Sequence, residues 1–430
     1  MSSISRALPL AALFFAPSAW AACTPGAGFE ACVIAALDDQ ETRIADLEAY
    51  IDELETYLYV DAINDSVVFS GANVYIQSGS GYTHDNGTLT GLGNLIVGYN
   101  QEFYGTYART GSHNVVVGDE NDWTSYGGVV AGYKGTISAP YAAVTGGYNN
   151  TASGSYSSVS GGRDNIASGY YSAVLGGKFN TAAYTYATVS GGYENEATGY
   201  AASVSGGYFN TASQYFASVS GGYNNHASAN YSAVTGGGGN TASASYAAVT
   251  GGYNNTASAN YSAVSGGSGN GATDVYAAVS GGENNTANED YASVSGGRYN
   301  QANGLHTSIS GGELHTASGA SAAVSGGRSN DAIGDYASVS GGYFNDASAE
   351  SSSVCGGNGN IASGAWSTVS GGSSNKATQN WASVSGGGFN EANGPSSSVS
   401  GGNSNYSNGQ STSIYGGTGS TVTADYDYAP

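Results

Sequence analysis

Apolar positions along the chain follow two different rules. From Leu37 they recur in heptads: Leu37, Ile44, Ile51 and Leu58 fall at a, Leu47 and Leu54 at d, with polar Gln40 and Asp61 at the ends of the d series. Glu41, Glu48 and Glu55 fall at e, and Arg43 at g stands within reach of Glu48 on a second helix. A narrow apolar stripe between acidic faces predicts a coiled coil over 37–61, against the alternative of an amphipathic helix folded onto a neighbouring domain. Ile at a with Leu at d leans towards a dimer and Leu at two a positions leans away, so the number of strands stays open.

Beyond residue 143 the spacing changes to fifteen. Val144, Val159, Val174 and so on to Val399 and Ile414 recur without insertion or deletion, and nineteen units fill 144–428. One unit reads VSGGYNNHASANYSA (219–233); columns are numbered here from its Val. Columns 3 and 4 are always Gly. Column 7 is Asn except at His315 and Ser420, and column 9 is Ala except at Ser407 and Val422. Column 13 is aromatic in most units, as at Tyr156, Phe216, Tyr261 and Trp381. Fifteen residues are too few for a helical pair and suit one coil of a parallel β-solenoid. Alternation puts columns 14, 1 and 3 on one side of a strand and 13, 15 and 2 on the other, with 7 and 9 inward and 8 and 10 outward. Gly-Gly opens one turn, columns 11 and 12 form the other, and the inward Asn is expected to build a ladder of amides. The predicted class is all-β, a parallel solenoid of 15-residue coils after a short helical coiled coil.

One Val and one Ala per coil make a thin core, so a further apolar contact is expected from sister chains. Column 15 is Ala, Ser or Thr in every unit but the last, and column 2 is Ser or Thr in all but Leu175, Cys355 and Tyr415. Column 8 drifts freely through Thr151, Ile166, Glu196, His226, Asp331 and Lys376. Uniformly small columns point to a closely approaching surface, and columns 15 and 2 are the expected subunit interface.

The units resemble the head repeats of trimeric autotransporter adhesins of the YadA type. Val159, Gly162, Asn165, Ala167, Gly169 and Ser172 stand at corresponding spacings, with Gly161 in place of Ile and Asn165 in place of Ser. GNLIVGYN (93–100) and HNVVVGDEN (113–121) resemble diverged head units, and GGVVAGYKG (127–135) is placed in the fifteen-residue frame. The resemblance covers roughly 90–428. It implies a left-handed β-roll with three chains side by side. In that family the stalk follows the head and a membrane barrel ends the chain. Here the coiled coil comes first and the repeats run to Tyr428, two residues before Pro430, so the expectation is a fibre without that anchor.

The N-terminus reads as an export signal over 1–21: Arg6, an apolar run from Ala7 to Ala16, and Ala19-Trp20-Ala21 as the cleavage site. Cleavage before Cys23, as in a lipoprotein, is the alternative; Trp20 stands where such sites carry Leu. Residues 22–36 form a segment in which Cys23 and Cys32 are expected to bridge, within or between chains. Cys355 reads as a neutral replacement for Ser. Residues 62–143 form an irregular, diverged segment without a recognisable acid/base or nucleophile set. His226, His306 and His315 replace Thr, Tyr and Asn in three different units and read as drift, so no metal or other cofactor is expected.

Nine Lys+Arg against 31 Asp+Glu give a net charge of -22, which excludes sequence-independent nucleic-acid binding. Seventy Gly without a three-residue period exclude collagen. A gapless repeat offers no inserted loop for a catalytic site, so an enzyme is not expected. The leading expectation is a secreted or surface-displayed oligomeric adhesin-like fibre binding a surface, matrix or glycan. Its expected contact residues are the column-5 aromatics Tyr148, Tyr193, Tyr208, Tyr223, Tyr253 and Tyr343, together with column 13. A structural filament or spacer is the alternative. An ice-binding solenoid presenting the column-8 Thr array is weaker, because Glu196, Asp331, Lys376 and Glu391 interrupt that array.

Overall fold

A computed structural model describes residues 28–101 and 107–430. It divides into two compact units, up to residue 76 and from residue 77 onward. The export signal and Cys23 lie outside the described residues.

In the first unit, helix α1 spans Phe29–Glu55. It starts earlier and ends sooner than the heptad pattern predicts. Glu30, Ala31, Ala35 and Ala36, with no Gly or Pro over 29–36, carry it back to Phe29, so much of the cysteine-containing segment is helical. Tyr57, Tyr59 and Val60 favour extended chain, and Leu58–Asp61 pairs antiparallel with Ser66–Phe69. The Asp61 carboxylate accepts the amides of Ile63 and Asn64 in the turn between them. Leu58 and Asp61 are therefore strand residues, and the heptad stripe reduces to Leu37, Ile44, Leu47, Ile51 and Leu54. All five are exposed, and α1 buries no residue. Cys32, on α1, is disulfide-bonded.

The second unit is a parallel β-solenoid. Each regular coil has two two-residue strands, at columns 15–1 and 8–9, paired in register with the coils on either side, as Ser218↔Ala233↔Ala248 and Thr211↔His226↔Thr241 show. A third ladder of single bridges runs along column 5, through Tyr208↔Tyr223↔Gly238. Among the described residues the column 8–9 sheet holds 21 strands, a stack on the order of 100 Å long. Burial follows the expected alternation at columns 14, 1, 7 and 9, where Ser232, Val219, Asn225 and Ala227 are buried. Column 3, expected on the inward side with 14 and 1, instead faces open space, because the chain turns at Gly-Gly: a Cβ on Gly236 would meet nothing within 4 Å.

The turns explain the invariant column 4. Gly222 sits at φ 94, where an L side chain is strained. A Cβ there would run into the backbone of Gly237 in the next coil and into the Asn225 amide. The second turn extends to column 13, where Tyr231 is left-handed at φ 58 and its amide donates to Tyr215 O at 2.8 Å. Ser232 closes the same turn, donating to Ala229 O at 2.7 Å.

The Asn column differs from an amide-to-amide ladder. Asn225 Nδ2 donates to Gly221 O in its own coil (2.8 Å) and to Gly237 O in the next (3.1 Å), while Oδ1 accepts the backbone amide of Asn240 (3.0 Å). Each side chain thus links backbone to backbone. His315 reproduces most of this set: Nε2 donates to Gly327 O and Nδ1 accepts the Asn330 amide, both at 3.0 Å. That pattern needs the neutral ring, and burial lowers the His315 pKa in agreement.

The stack begins before the regular repeat. Strands Leu95–Val97, Val115–Asp119 and Val129–Tyr133 continue the same sheet, so the 93–100 and 113–121 segments are coils. Their lengths are irregular. Ile96, Val116, Val130 and Val144 are paired in sequence, which makes successive coils 20, 14 and 14 residues long. The coil from Val130 misses fifteen because it carries one turn glycine, Gly132, in place of two.

Candidate binding edges of the solenoid

The two turns place two aromatic columns on separate edges. The six expected contact tyrosines all lie in column 5, beside the bridge ladder. Tyr223 and Tyr253 are 58% and 60% exposed, whereas Tyr193 is half-buried, stacked on Tyr208 at 5.2 Å and edge-on to Phe179 and Phe209. They do not form one continuous row. Arg163, Lys178 and Gly238 interrupt them, and Tyr343 stands apart beside Phe344. Column 5 also collects four of the nine basic residues: Arg163, Lys178, Arg298 and Arg328. Arg163 lies over Tyr148 at 5.0 Å and Lys178 over Tyr193 at 5.5 Å. Glu313 pairs with Arg298 and with Arg328, which hold its carboxyl below its usual range. Acidic neighbours match these cations: Arg163 pairs with Asp164 at 2.9 Å, Glu283 and Glu313 share column 5, and Glu194 follows Tyr193, so the edge is aromatic with paired charges along it.

Column 13 forms the second edge, and here the rings stack. From Phe216 through Tyr231, Tyr246, Tyr261, Tyr276 and Tyr291 to His306, consecutive centroids lie 4.8–5.1 Å apart. Ring faces in such a stack cover one another and leave edges to solvent. This limits face-on recognition of a ligand to places where the stack stops.

The irregular segment holds two buried carboxylates that the sequence did not single out as a pair. Asp85 accepts from Ser80 (2.7 Å), from the Thr90 hydroxyl (2.6 Å) and from the Thr90 amide (2.8 Å). Hydroxyls of Ser112, Ser78 and Thr90 hold it far below the usual carboxylate range. His113 lies 3.9 Å from it. Both imidazole nitrogens are committed to backbone, Nδ1 to Thr83 O and Nε2 to the Ser78 amide. The group thus ties residues 78–90 onto the coil containing 112–113. Glu120 is bonded by the hydroxyls of Tyr133 and Tyr107 and lies 3.4 Å from Lys134. These bonds lower its pKa and push Tyr133 up to about 12.

The histidines of the repeat separate by role. His315 completes the Asn ladder, His306 ends a ring stack and His226 bonds Asn224 at the surface. No group of three potential metal ligands occurs among the described residues, and no described helix is long and apolar enough to cross a membrane. Cys355 is free and exposed in column 2. In column 8 threonines stand on adjacent coils at Thr241 and Thr256, alternate with Ile, Glu, His, Gly or Gln over the rest of 151–316, and are replaced from Asp331 to Tyr406 by Asp, Ile, Lys, Glu and Tyr. No protein-family model matches the chain, and no curated protein matches it in sequence.

Proposed function

We propose that the chain forms an oligomeric fibre, secreted or displayed at the cell surface, that adheres to a surface, matrix or glycan. The resemblance to trimeric adhesin heads favours three chains side by side. The observation that carries this reading is column 3. It is Gly in all nineteen units, yet φ there is never in the left-handed region. From Gly236 to Gly416 a Cβ in this column would meet nothing within 4 Å. Nothing inside one chain requires glycine at column 3, so the requirement comes from a surface approaching from outside. Columns 2 and 15 flank it with small side chains, and the exposed heptad stripe of α1 asks for a partner of the same kind. The column-5 tyrosines and their basic neighbours are the contact groups of this reading, which assigns no catalysis.

Sedimentation tests the assembly. Wild-type protein is expected as a stable oligomer, and Gly221→Val with Gly236→Val and Gly251→Val as a folded chain with weakened association. A wild-type monomer overturns the reading. Array binding to glycans and matrix proteins tests adhesion. Loss of binding on changing Tyr208, Tyr223 and Tyr253 to Ser, with the fold retained, supports it. Unchanged binding removes this edge from the reading and leaves a spacer fibre.

A further inference from the structure

The column-13 stack stops at His306 and resumes at Trp366, which lies 4.8 Å from Trp381. Ser321, Tyr336 and Ser351 occupy the three rungs between. The backbone runs through them unchanged. Ser321 and Ser351 keep φ 57 and 55, beside 58 for Tyr231. The amides of Ser321, Tyr336, Ser351 and Trp366 donate to the column-12 carbonyls of the preceding coil at 2.7, 2.8, 2.7 and 2.9 Å. Tyr336 therefore stands in register with a ring missing on each side, and it is 64% exposed, against 45–50% for the stacked tyrosines from Tyr231 to Tyr291. Two rungs separate it from His306 and from Trp366, roughly 10 Å in each direction. Each gap is the place of one absent aromatic ring. The break at Ala201 is different: Tyr200 reaches across it and lies edge-on to Tyr186 at 5.6 Å and to Phe216 at 5.8 Å. Beside Tyr336, column 12 carries Ala320, Asp335 and Glu350, so no side-chain ring fills the gaps.

We propose that these two gaps are binding slots for planar aromatic cations, one ring between His306 and Tyr336 and one between Tyr336 and Trp366. His306 and Trp366, stacked on Tyr291 and Trp381, each turn an uncovered ring face to a gap, and Tyr336 holds the rung between them. Such walls favour a flat ring, and the π-systems of Tyr336 and Trp366 favour positive charge. The exposed Glu350 carboxylate and Asp335, which also accepts the Ala320 amide at 2.8 Å, add acidic groups at the mouth. A pyranose chair is thicker than the ring whose place it would take. The inference does not depend on adhesion, since a spacer fibre carries the same slots.

Proflavine, a planar aromatic monocation, is the probe, titrated into the full chain with induced circular dichroism and quenching of tryptophan emission as readouts. The decisive variant is Ser321→Tyr with Ser351→Tyr. It completes the stack with the residue most common in this column and leaves the charge unchanged, and far-ultraviolet circular dichroism checks its fold. Wild-type protein is expected to bind and give an induced signal; the double variant is expected to bind roughly tenfold more weakly or worse, without that signal. Tyr336→Leu, which removes the shared wall, is expected to weaken both slots. Equal binding by wild type and the double variant places the dye elsewhere on the acidic surface and overturns the proposal. So does absence of binding to the wild type, or displacement of the dye by neutral cellobiose.

Discussion

Coils from Val144 onward and the coils before it bury polar groups differently. In the regular body the column-7 Asn of each coil bonds two backbone carbonyls and the next coil's amide at the same offsets, with His315 and Ser420 as the two exceptions. The entry coils, 20 and 14 residues long, use two Asn ladders. Asn94 Oδ1 accepts the Asn114 amide, whose own Oδ1 accepts the Gly128 amide. Asn100 likewise receives Asn121, which receives Gly135. Both ladders end on glycine, at Gly128 and at Gly135; fifteen residues after Gly135 the regular Asn column starts at Asn150. Around them the carboxylates of Asp85 and Glu120 gather hydroxyls and a lysine. Equal rungs let a single neutral device repeat; unequal rungs leave polar groups at unmatched heights, and charged clusters satisfy them case by case. The entry is thereby sensitive to acid in a way most of the body is not.

The largest effect is expected from breaking the body's device. Asn225→Ala removes three hydrogen bonds and orphans the Asn240 amide, costing about 3–5 kcal/mol; hydrogen exchange over 219–240 reads the loss locally. A normal exchange rate there would show that the ladder is dispensable. Gly222→Ala, with φ fixed in the left-handed region against the backbone of the next coil, is expected to cost on the order of 2–4 kcal/mol, seen as a lowered unfolding midpoint.

Acidification separates the two regions. The folded pKa values of Asp85 and Glu120 lie below their ordinary 3.8 and 4.5. Their contribution is complete above those ordinary values and is lost as pH falls through the lowered folded ones. Exchange in residues 78–134 is expected to rise at strongly acidic pH while the coils around Asn225 stay protected. Simultaneous opening of both would refute the contrast. The smallest effect comes from the one imidazole in the Asn column. His315 has a pKa lowered from 6.5 by burial, so its contribution is full above 6.5 and falls as pH drops through the lowered value. His315→Asn is expected to behave as wild type at neutral pH and to abolish a local rise in exchange around Asn330 on mild acidification.

Much of the solenoid was legible because a period of fifteen with inward Val, Asn and Ala admits few arrangements. The 14-residue coil at Val130 was misplaced in the fifteen-residue frame because GGVVAG looks like the repeat while its glycine pair precedes the Val instead of following it. Leu58 continued the heptad by type, yet its aromatic and β-branched neighbours found a strand partner at Ser66–Phe69. Of the candidate contacts, the column-5 tyrosines were legible as a column. That Tyr193 is crowded by Phe179 and Phe209 while Tyr223 stands free was not, because exposure depends on residues in adjoining coils.

The sequence by itself determined the rung: that the Val, Asn and Ala columns point inward, where a turn must have glycine, and that column 7 is Asn in all but two regular coils. Those properties are local and repeat with the chain. The tertiary structure alone decided what the rungs do to one another. It turned the Asn amide towards backbone on both sides, pressed column-13 rings face to face, left Tyr336 bare, and brought Asp85 to Ser112 and Glu120 to Tyr133. Each of these depends on atoms in a neighbouring coil, twelve or more residues away, or on coils of unequal length, and distance through space is the quantity that a linear pattern does not carry.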